Sequence, residues 1–126
     1  MSAGWPPAEL DRIDRAEELQ VASLRPDGTV RPSVTIWGVR VGDEVFVRSA
    51  YGTANPWFRR AVASGTGRVR AGGVERQVRF EIADTADHSA IDAAYHAKYD
   101  RYGPGIVGAV TGPAAPPTTL RLTPQT

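Results

Sequence analysis

The chain has 126 residues, a formal net charge of +1 and no cysteine. This length is typical of one domain with its own core, and the small net charge gives no electrostatic reason to expect a nucleic-acid or acidic-membrane surface. The lack of cysteine excludes disulfides, zinc–thiolate sites, iron–sulfur ligation and thiol nucleophiles.

Turn signals and hydrophobic spacing predict short strands with a helix near each end of the chain. Apolar residues at helical spacing indicate a helix over 8–19. Turn residues at 25–28, 42–43 and 72–73 separate the strand-like runs that follow. The predicted elements, in chain order, are helix 8–19, strands 20–24, 30–41 and 45–49, helix 56–64, strands 68–71 and 74–82, helix 89–102 and strand 118–122.

This order favours an α+β fold, built as a small antiparallel β-barrel or strongly curved sheet with peripheral helices. The strands are too closely spaced for parallel crossovers, and there is no glycine-rich dinucleotide fingerprint, which excludes a Rossmann-type fold. We expect a single domain over 1–126, with a flexible N-terminus at 1–7 and a Pro/Ala-rich connection at 112–117. The sequence has no apolar signal core and no run of about 18 apolar residues, so we expect a cytoplasmic protein.

The end of the strand at 45–49 leads into a loop that is rich in hydrogen-bond donors. Arginine supplies a forked cationic donor, hydroxyls add short donors, and glycine lets backbone amides approach a ligand closely, so the combination suits a phosphate group. The alternative is an arginine that extends over the barrel rim and a glycine that only turns the chain. The residues concerned are Arg48, Ser49, Tyr51, Gly52, Thr53 and Asn55.

A two-residue turn at Gly42-Asp43 fixes the predicted register of the hairpin around it. The predicted cross-strand pairs are Val41–Glu44, Val39–Phe46 and Trp37–Arg48. The indole of Trp37 would then lie beside the guanidinium of Arg48. This pair is either an aromatic wall that stacks a planar ligand next to a phosphate-binding arginine, or a cation–π contact worth about 0.5–1 kcal/mol at an exposed site.

The helix predicted over 89–102 carries tyrosines and the lone lysine on one face. Fourteen of the 15 basic residues are arginine, which makes Lys98 unusual in this chain. Tyr95 could act as a hydroxyl acid, and Lys98 could lower the pKa of that phenol or bind an anionic substrate. In the alternative, the rings pack against the barrel and Lys98 extends to solvent. Asp92 and His96 are spaced for a local pair, whereas His88 and His96 are out of phase on a helix, so we expect no metal site.

Several segments together resemble a known family. They are IWGV, VFVRSAYG, PW, IDAAYHAKYDRY and TTLRL. Over roughly residues 8–123 the chain resembles a bacterial family of uncharacterised proteins, domain of unknown function 2255. The order of hairpin, strand end, short helix and second hairpin resembles the flavin- and deazaflavin-binding split-barrel superfamily, so the resemblance implies a split β-barrel.

The superfamily resemblance also implies a homodimer that binds FMN or a deazaflavin coenzyme in clefts between two barrels. An exposed Trp5, Trp37 and Trp57 would agree with a dimer, since apolar patches on small domains usually find a partner. The loop AYGTANP lacks the lysine that many split-barrel reductases carry there, although Arg59 and Arg60 could compensate. The implied cofactor-binding residues are Trp37, Arg48, Ser49, Tyr51, Gly52, Thr53 and Trp57.

Two functional hypotheses follow. In the first, the chain is an oxidoreductase in which a flavin or deazaflavin transfers hydride to a small planar or unsaturated substrate. In the second, it is a non-redox split-barrel protein that binds a small anionic ligand, or catalyses cofactor-free acid–base chemistry through Tyr95 and Lys98. The order strand, Arg, Ser, Gly, helix favours the first hypothesis, and the missing loop lysine favours the second.

Overall fold

Seven antiparallel strands form one curved sheet within the residues that the structure describes, 4–50 and 52–125. The structure is a computed structural model. The strands are β1 (Leu19–Ser23), β2 (Val34–Ile36), β3 (Gly38–Val41), β4 (Glu44–Arg48), β5 (Thr66–Ala71), β6 (Val74–Ile82) and β7 (Thr119–Pro124). The helices are α1 (Pro7–Arg15), α2 (Pro56–Ser64), α3 (His88–Tyr99) and α4 (Pro104–Gly108), with short 3-10 helices at Asp100–Tyr102 and Pro116–Thr118. None of the helices in these ranges has the length and apolar character needed to cross a membrane.

The two outermost strands of the sheet, β2 and β3, are neighbours in the chain. The order across the sheet is β2-β1-β5-β6-β7-β4-β3, so the chain passes from one edge to the other at Trp37 and nearly closes the sheet into a barrel. β2 pairs with β1 through Leu19–Ile36, whereas β3 pairs with β4 through Gly38–Val47. The prediction of one continuous strand over 30–41 is therefore wrong, because a single straight strand cannot pair with both edges.

The α+β class and the split-barrel architecture are confirmed. Both predicted tight hairpins form, since β3 and β4 meet at Val41–Glu44 and β5 and β6 meet at Ala71–Val74. The helix predicted over 56–64 is α2. The first helix is shorter than predicted, because α1 ends at Arg15 and Leu19 already pairs in β1.

Apolar side chains pack on both faces of the hairpin formed by β3 and β4. Val45 and Val47 belong to the core inside the barrel, which α1 and α2 cover, while Phe46 points to the opposite face. On that opposite face α3 packs against the sheet and forms a second apolar cluster. The buried members of this cluster include Val39, Phe46, Ile91, Tyr95, Tyr99 and Val107. The hairpin is therefore buried from both sides.

Trp5 anchors the segment before α1. The prediction of an exposed Trp5 is wrong, since its side chain is buried in the barrel core and its indole Nε1 donates to the Leu122 carbonyl at 2.9 Å. Pro7 then begins α1. Of the segment 1–7 that the sequence predicts to be flexible, residues 1–3 lie outside the described residues, and the part from Trp5 onward is tied to β7.

Gly67 of β5 provides the tightest test of this packing. A Cβ atom added there would lie 2.1 Å from the Ala22 carbonyl oxygen and 2.7 Å from the Phe80 ring, and the carbonyl cannot move without disturbing β1. We expect Gly67→Ala to lower the free energy of unfolding by roughly 1–3 kcal/mol or more, measured by urea denaturation. Gly105→Ala is the matched control, because nothing lies within 4 Å of an added Cβ atom there. Equal stability of the two variants would contradict the observed strand spacing.

Candidate functional site

A cavity of about 290 Å³ opens where β2, the start of α2 and α4 meet. Most of its wall is apolar, and we call it the tryptophan pocket after Trp37 and Trp57. It is lined by Glu18, Val34, Thr35, Ile36, Trp37, Arg48, Ala50, Asn55, Trp57, Ile106, Ala109 and Val110. Three of the residues that the sequence predicts for a cofactor site, Trp37, Arg48 and Trp57, therefore line one cavity.

Trp37 occupies the break between β2 and β3. Its ring stacks on Tyr99, with the ring centroids 4.1 Å apart and the planes 7° from parallel. The predicted register is confirmed at Val41–Glu44 and Val39–Phe46, but strand pairing ends before Trp37. The predicted contact between Trp37 and Arg48 is replaced by another one, in which the Arg48 guanidinium lies 5.6 Å from the Tyr95 ring centroid.

Arg48 is buried, and four hydrogen bonds hold its guanidinium. Nε donates to Thr119 Oγ1 at 2.9 Å, and Nη2 donates to His88 Nδ1 at 3.0 Å. Nη1 donates to the Asp92 carboxylate and to the Val110 carbonyl, the latter at 2.9 Å. A guanidinium carries five N–H groups, so only one is left for a ligand. A phosphate contact by Arg48 stays a prediction, and these four bonds disfavour it.

Two partners of Arg48, His88 and Asp92, are held in turn by further hydrogen bonds. His88 Nε2 donates to the Asp84 carbonyl at 2.7 Å, and Nδ1 accepts from Arg48. The second carboxylate oxygen of Asp92 accepts from the Gly112 amide at 3.2 Å. The Arg48 guanidinium is thus buried beside a partly exposed carboxylate. These contacts attach the segment around Val110 to the end of β4.

The sequence missed the role of Asp92. Its predicted partner, His96, instead contacts Asp100 at 2.7 Å, one helical turn further along. Asp92 and Arg48 are 44 positions apart, and no local spacing links them. Tyr99 was missed as well, although Ile91, Tyr95 and Tyr99 recur at every fourth position, a spacing that places three large residues on one buried face of a helix.

Ser49 and Thr53, two of the predicted donors in the loop after β4, do not line the pocket. Ser49 is buried, its hydroxyl donates to the Gly52 carbonyl at 2.6 Å, and its amide donates to the Thr118 carbonyl at 3.1 Å. Thr53 is exposed and does not line the pocket, and Tyr51 lies outside the described residues. The loop residues that do reach the pocket are Ala50 and Asn55.

Tyr95 and Lys98, the predicted acid–base pair, do not line the tryptophan pocket. Tyr95 is fully buried, with its hydroxyl 3.5 Å from the Trp37 carbonyl, and burial raises the pKa of this phenol above its ordinary value. Lys98 Nζ donates to the Gly38 carbonyl at 2.8 Å and to the Ile13 carbonyl at 3.3 Å. These contacts join α3 to β3 and to the C-terminal turn of α1.

A sequence profile described as "Uncharacterized protein conserved in bacteria (DUF2255)" matches residues 9–122, so the chain belongs to this family. No curated protein sequence matches the chain. Among solved structures, it is similar to an F420 reductase, with 19% identity, a TM-score of 0.56 and coverage of 97% of both chains.

Two further structures share the fold. One is HutZ, the heme storage protein from Vibrio cholerae, with 12% identity, a TM-score of 0.62 and coverage of 98% of this chain and 92% of that one. The other is a FAD-binding protein from Mesorhizobium loti, with 15% identity, a TM-score of 0.56 and coverage of 98% and 93%. At such identities the likeness establishes the split-barrel fold.

The ion pair between Arg48 and Asp92 predicts that removing Asp92 lowers the stability of the fold more than removing an exposed aspartate at the end of the same helix. We expect Asp92→Ala to lower the free energy of unfolding by about 3 kcal/mol, because it leaves the buried guanidinium of Arg48 without a counter-charge. Asp100→Ala, at the C-terminal end of the same helix, is the control. The contact between His96 and Asp100 is exposed, so its loss should cost less than about 1 kcal/mol. Urea denaturation measures the free energy of unfolding of both variants. Equal decreases would show that the contact between Arg48 and Asp92 contributes no more than the exposed contact.

The environment of Lys98 predicts a pH dependence. Burial lowers its pKa from the ordinary 10.5 to about 8, with Asp14 partly offsetting the shift. Between about pH 8 and pH 10 the unfolded chain therefore holds a proton that the folded chain has lost, so the free energy of unfolding rises with pH. Above about pH 10 it falls, because burial raises the pKa values of Tyr95 and Tyr99 and the folded chain keeps protons that the unfolded chain loses.

Urea denaturation of the wild type and of Lys98→Met at several pH values between 7.5 and 9.5 measures this slope. The wild type should gain stability across the window, and the variant should lose that gain. An identical slope in both proteins would show that Lys98 keeps its proton in the folded state.

Proposed function

We propose that this DUF2255 member binds a planar small molecule in the tryptophan pocket. The observation that carries the proposal is that Trp37 and Trp57, from separate elements, line one cavity whose wall is otherwise largely apolar. Small-molecule sites are typically clefts of a few hundred Å³ with apolar and aromatic walls and a few polar groups. Asn55 is one such polar group, since its side chain makes no capping hydrogen bond to α2.

We further propose that the bound ring belongs to FMN or a deazaflavin coenzyme. Two proteins of the same fold support this choice, one named as an F420 reductase and the other as FAD-binding. The aromatic and apolar wall fits the ring portion of such a coenzyme. The predicted phosphate-binding residues fit the coenzyme less well. Arg48 and Ser49 already form hydrogen bonds within the protein, and the acidic Glu18 lines the pocket.

A coenzyme of this class, when bound, supplies hydride transfer to a small planar or unsaturated substrate. The residues of this chain would position the ring and exclude water. Trp37 is held flat by its stacking on Tyr99, so its ring cannot turn freely. The wall also includes Val110, whose carbonyl accepts a hydrogen bond from Arg48. Rigid walls reduce the entropy lost on binding, and a homodimer could cover the open side of the pocket.

The second candidate is a non-redox protein that binds a planar ligand in the same pocket. The four bonds of Arg48 favour it, because they leave the strand end with little capacity to hold a coenzyme phosphate. Acid–base chemistry through Tyr95 and Lys98 gains no support from their positions, since neither lines the pocket.

Titration with FMN, FAD and F420, followed by tryptophan fluorescence and coenzyme absorbance, tests the proposal. We expect saturable binding of at least one coenzyme, weakened more than about tenfold in Ile106→Trp. Ile106 lines the pocket and is 55% exposed, so an indole there would fill the cavity without entering the core. Val62→Trp is the matched control, because Val62 is an exposed residue of α2 outside the pocket.

Two outcomes would count against parts of the proposal. If the wild type binds none of the three coenzymes, the flavin and deazaflavin assignment fails. If a planar non-redox compound binds and Ile106→Trp abolishes that binding, the second candidate takes its place. Equal coenzyme affinities of Ile106→Trp and Val62→Trp would place binding outside the tryptophan pocket.

A further inference from the structure

A second cavity, of about 810 Å³, lies between α2 and the loop that joins β1 to β2. We call it the arginine cleft, after Arg25 and Arg31 of the loop and Arg59 and Arg60 of the helix. Within the described residues its lining includes no acidic side chain and shares no residue with the tryptophan pocket. Ligand binding in the arginine cleft is therefore independent of the function proposed for the tryptophan pocket.

The four arginines of the cleft differ from most arginines of the chain. The chain has 14 arginines, and within the described residues six of them lie within 4.0 Å of a carboxylate. None of these six lines the cleft, whereas four of the other eight do. A general excess of arginine in the sequence does not explain this, because the paired arginines are distributed over other surfaces. The cleft thus holds four positive charges, none of which lies within 4.0 Å of a carboxylate of the described residues.

Arg31 carries an unmet hydrogen-bond donor. Its side chain is partly buried, and its Nε is a buried atom with no hydrogen-bond partner among the described residues. A buried donor without an acceptor is destabilising. Arg31 lines the cleft, so an acceptor from a ligand that reaches this Nε would satisfy it.

The loop that carries two of the arginines is held in place by its own hydrogen bonds. Arg25 Nη1 donates to Thr29 Oγ1 and to the Val30 carbonyl, both at 3.3 Å. Asp27, the acidic residue of this loop, accepts from the Thr29 amide at 3.0 Å and from the Thr29 hydroxyl at 2.6 Å. These contacts, together with Arg25, hold the pKa of Asp27 below its ordinary value. The carboxylate is engaged locally and does not line the cleft.

We infer that the arginine cleft binds a small anion that carries two or more phosphate-type groups. A guanidinium matches two phosphate oxygens at once and stays charged at all physiological pH values. A single monoanion would leave most of the four charges unpaired, and the size of the cleft leaves room for more than one phosphate. Single-stranded nucleic acid is disfavoured, because its binding sites place aromatic rings where bases can stack and the lining that the described residues provide includes none.

Isothermal titration of the full chain at low ionic strength tests this inference. The probes are pyrophosphate, tripolyphosphate, ADP, orthophosphate and citrate. We expect saturable binding of pyrophosphate and tighter binding of tripolyphosphate, both weakened by salt. Arg31→Gln and Arg59→Gln should each weaken tripolyphosphate binding about tenfold, since each removes a charged donor pair. Arg70→Gln is the matched control, an exposed arginine of β5 outside the cleft, and it should bind like the wild type.

The inference is overturned if the wild type shows no saturable binding of either polyphosphate, or if the cleft variants bind as well as Arg70→Gln. Equal affinities for citrate and tripolyphosphate would overturn the phosphate-type assignment. Binding of a single-stranded oligonucleotide that tripolyphosphate does not displace would overturn the assignment to a small anion. If ADP binds more tightly than pyrophosphate, the inference is supported and the ligand is a nucleotide. If pyrophosphate binds more tightly than ADP, the inference is supported and the ligand is a polyphosphate without a nucleoside.

Discussion

The buried guanidinium of Arg48 joins parts of the chain that are far apart in sequence. It bonds Thr119 at the start of β7, Asp92 and His88 on α3, and the carbonyl of Val110. A charge removed from water requires a partner and satisfied hydrogen bonds, so α3 and the segment after α4 must dock together at the end of β4. One wall of the tryptophan pocket is thereby fixed by a contact outside the apolar core.

The part of the wall that Trp37 forms results from the way the barrel closes. The chain between β2 and β3 crosses from one edge of the sheet to the other at Trp37, and strand pairing is interrupted there. The freed side chain stacks on Tyr99, whose hydroxyl bonds the Gly38 and Glu17 carbonyls. The same break that lets the sheet curl therefore presents an indole to the pocket, and α3 supports that indole from behind.

The start of α2 separates two cavities of opposite character. Asn55 and Trp57 line the tryptophan pocket, while Pro56, Arg59 and Arg60 line the arginine cleft. Pro56, Arg59 and Arg60 are three and four positions apart and therefore share one face of the helix, while Asn55 is the N-cap residue that precedes it. One helix can thus serve two ligand chemistries, a planar ring on one side and a multiply charged anion on the other.

Local chemistry was sufficient to predict the features that neighbouring residues decide. The glycine-containing turns at 42–43 and 72–73, the register of Val39 with Phe46, and α2 were all predictable, because turn residues and alternation act over a few positions. The partners of Arg48, Trp37 and Lys98 could not be predicted from the sequence. Each lies tens of residues away, and a charged or aromatic side chain takes whichever partner the folded chain brings within a few ångströms. The residue types of the site were therefore set by the sequence, whereas the closure of the barrel and the docking of α3 decided which side chains bond to each other and which line a cavity.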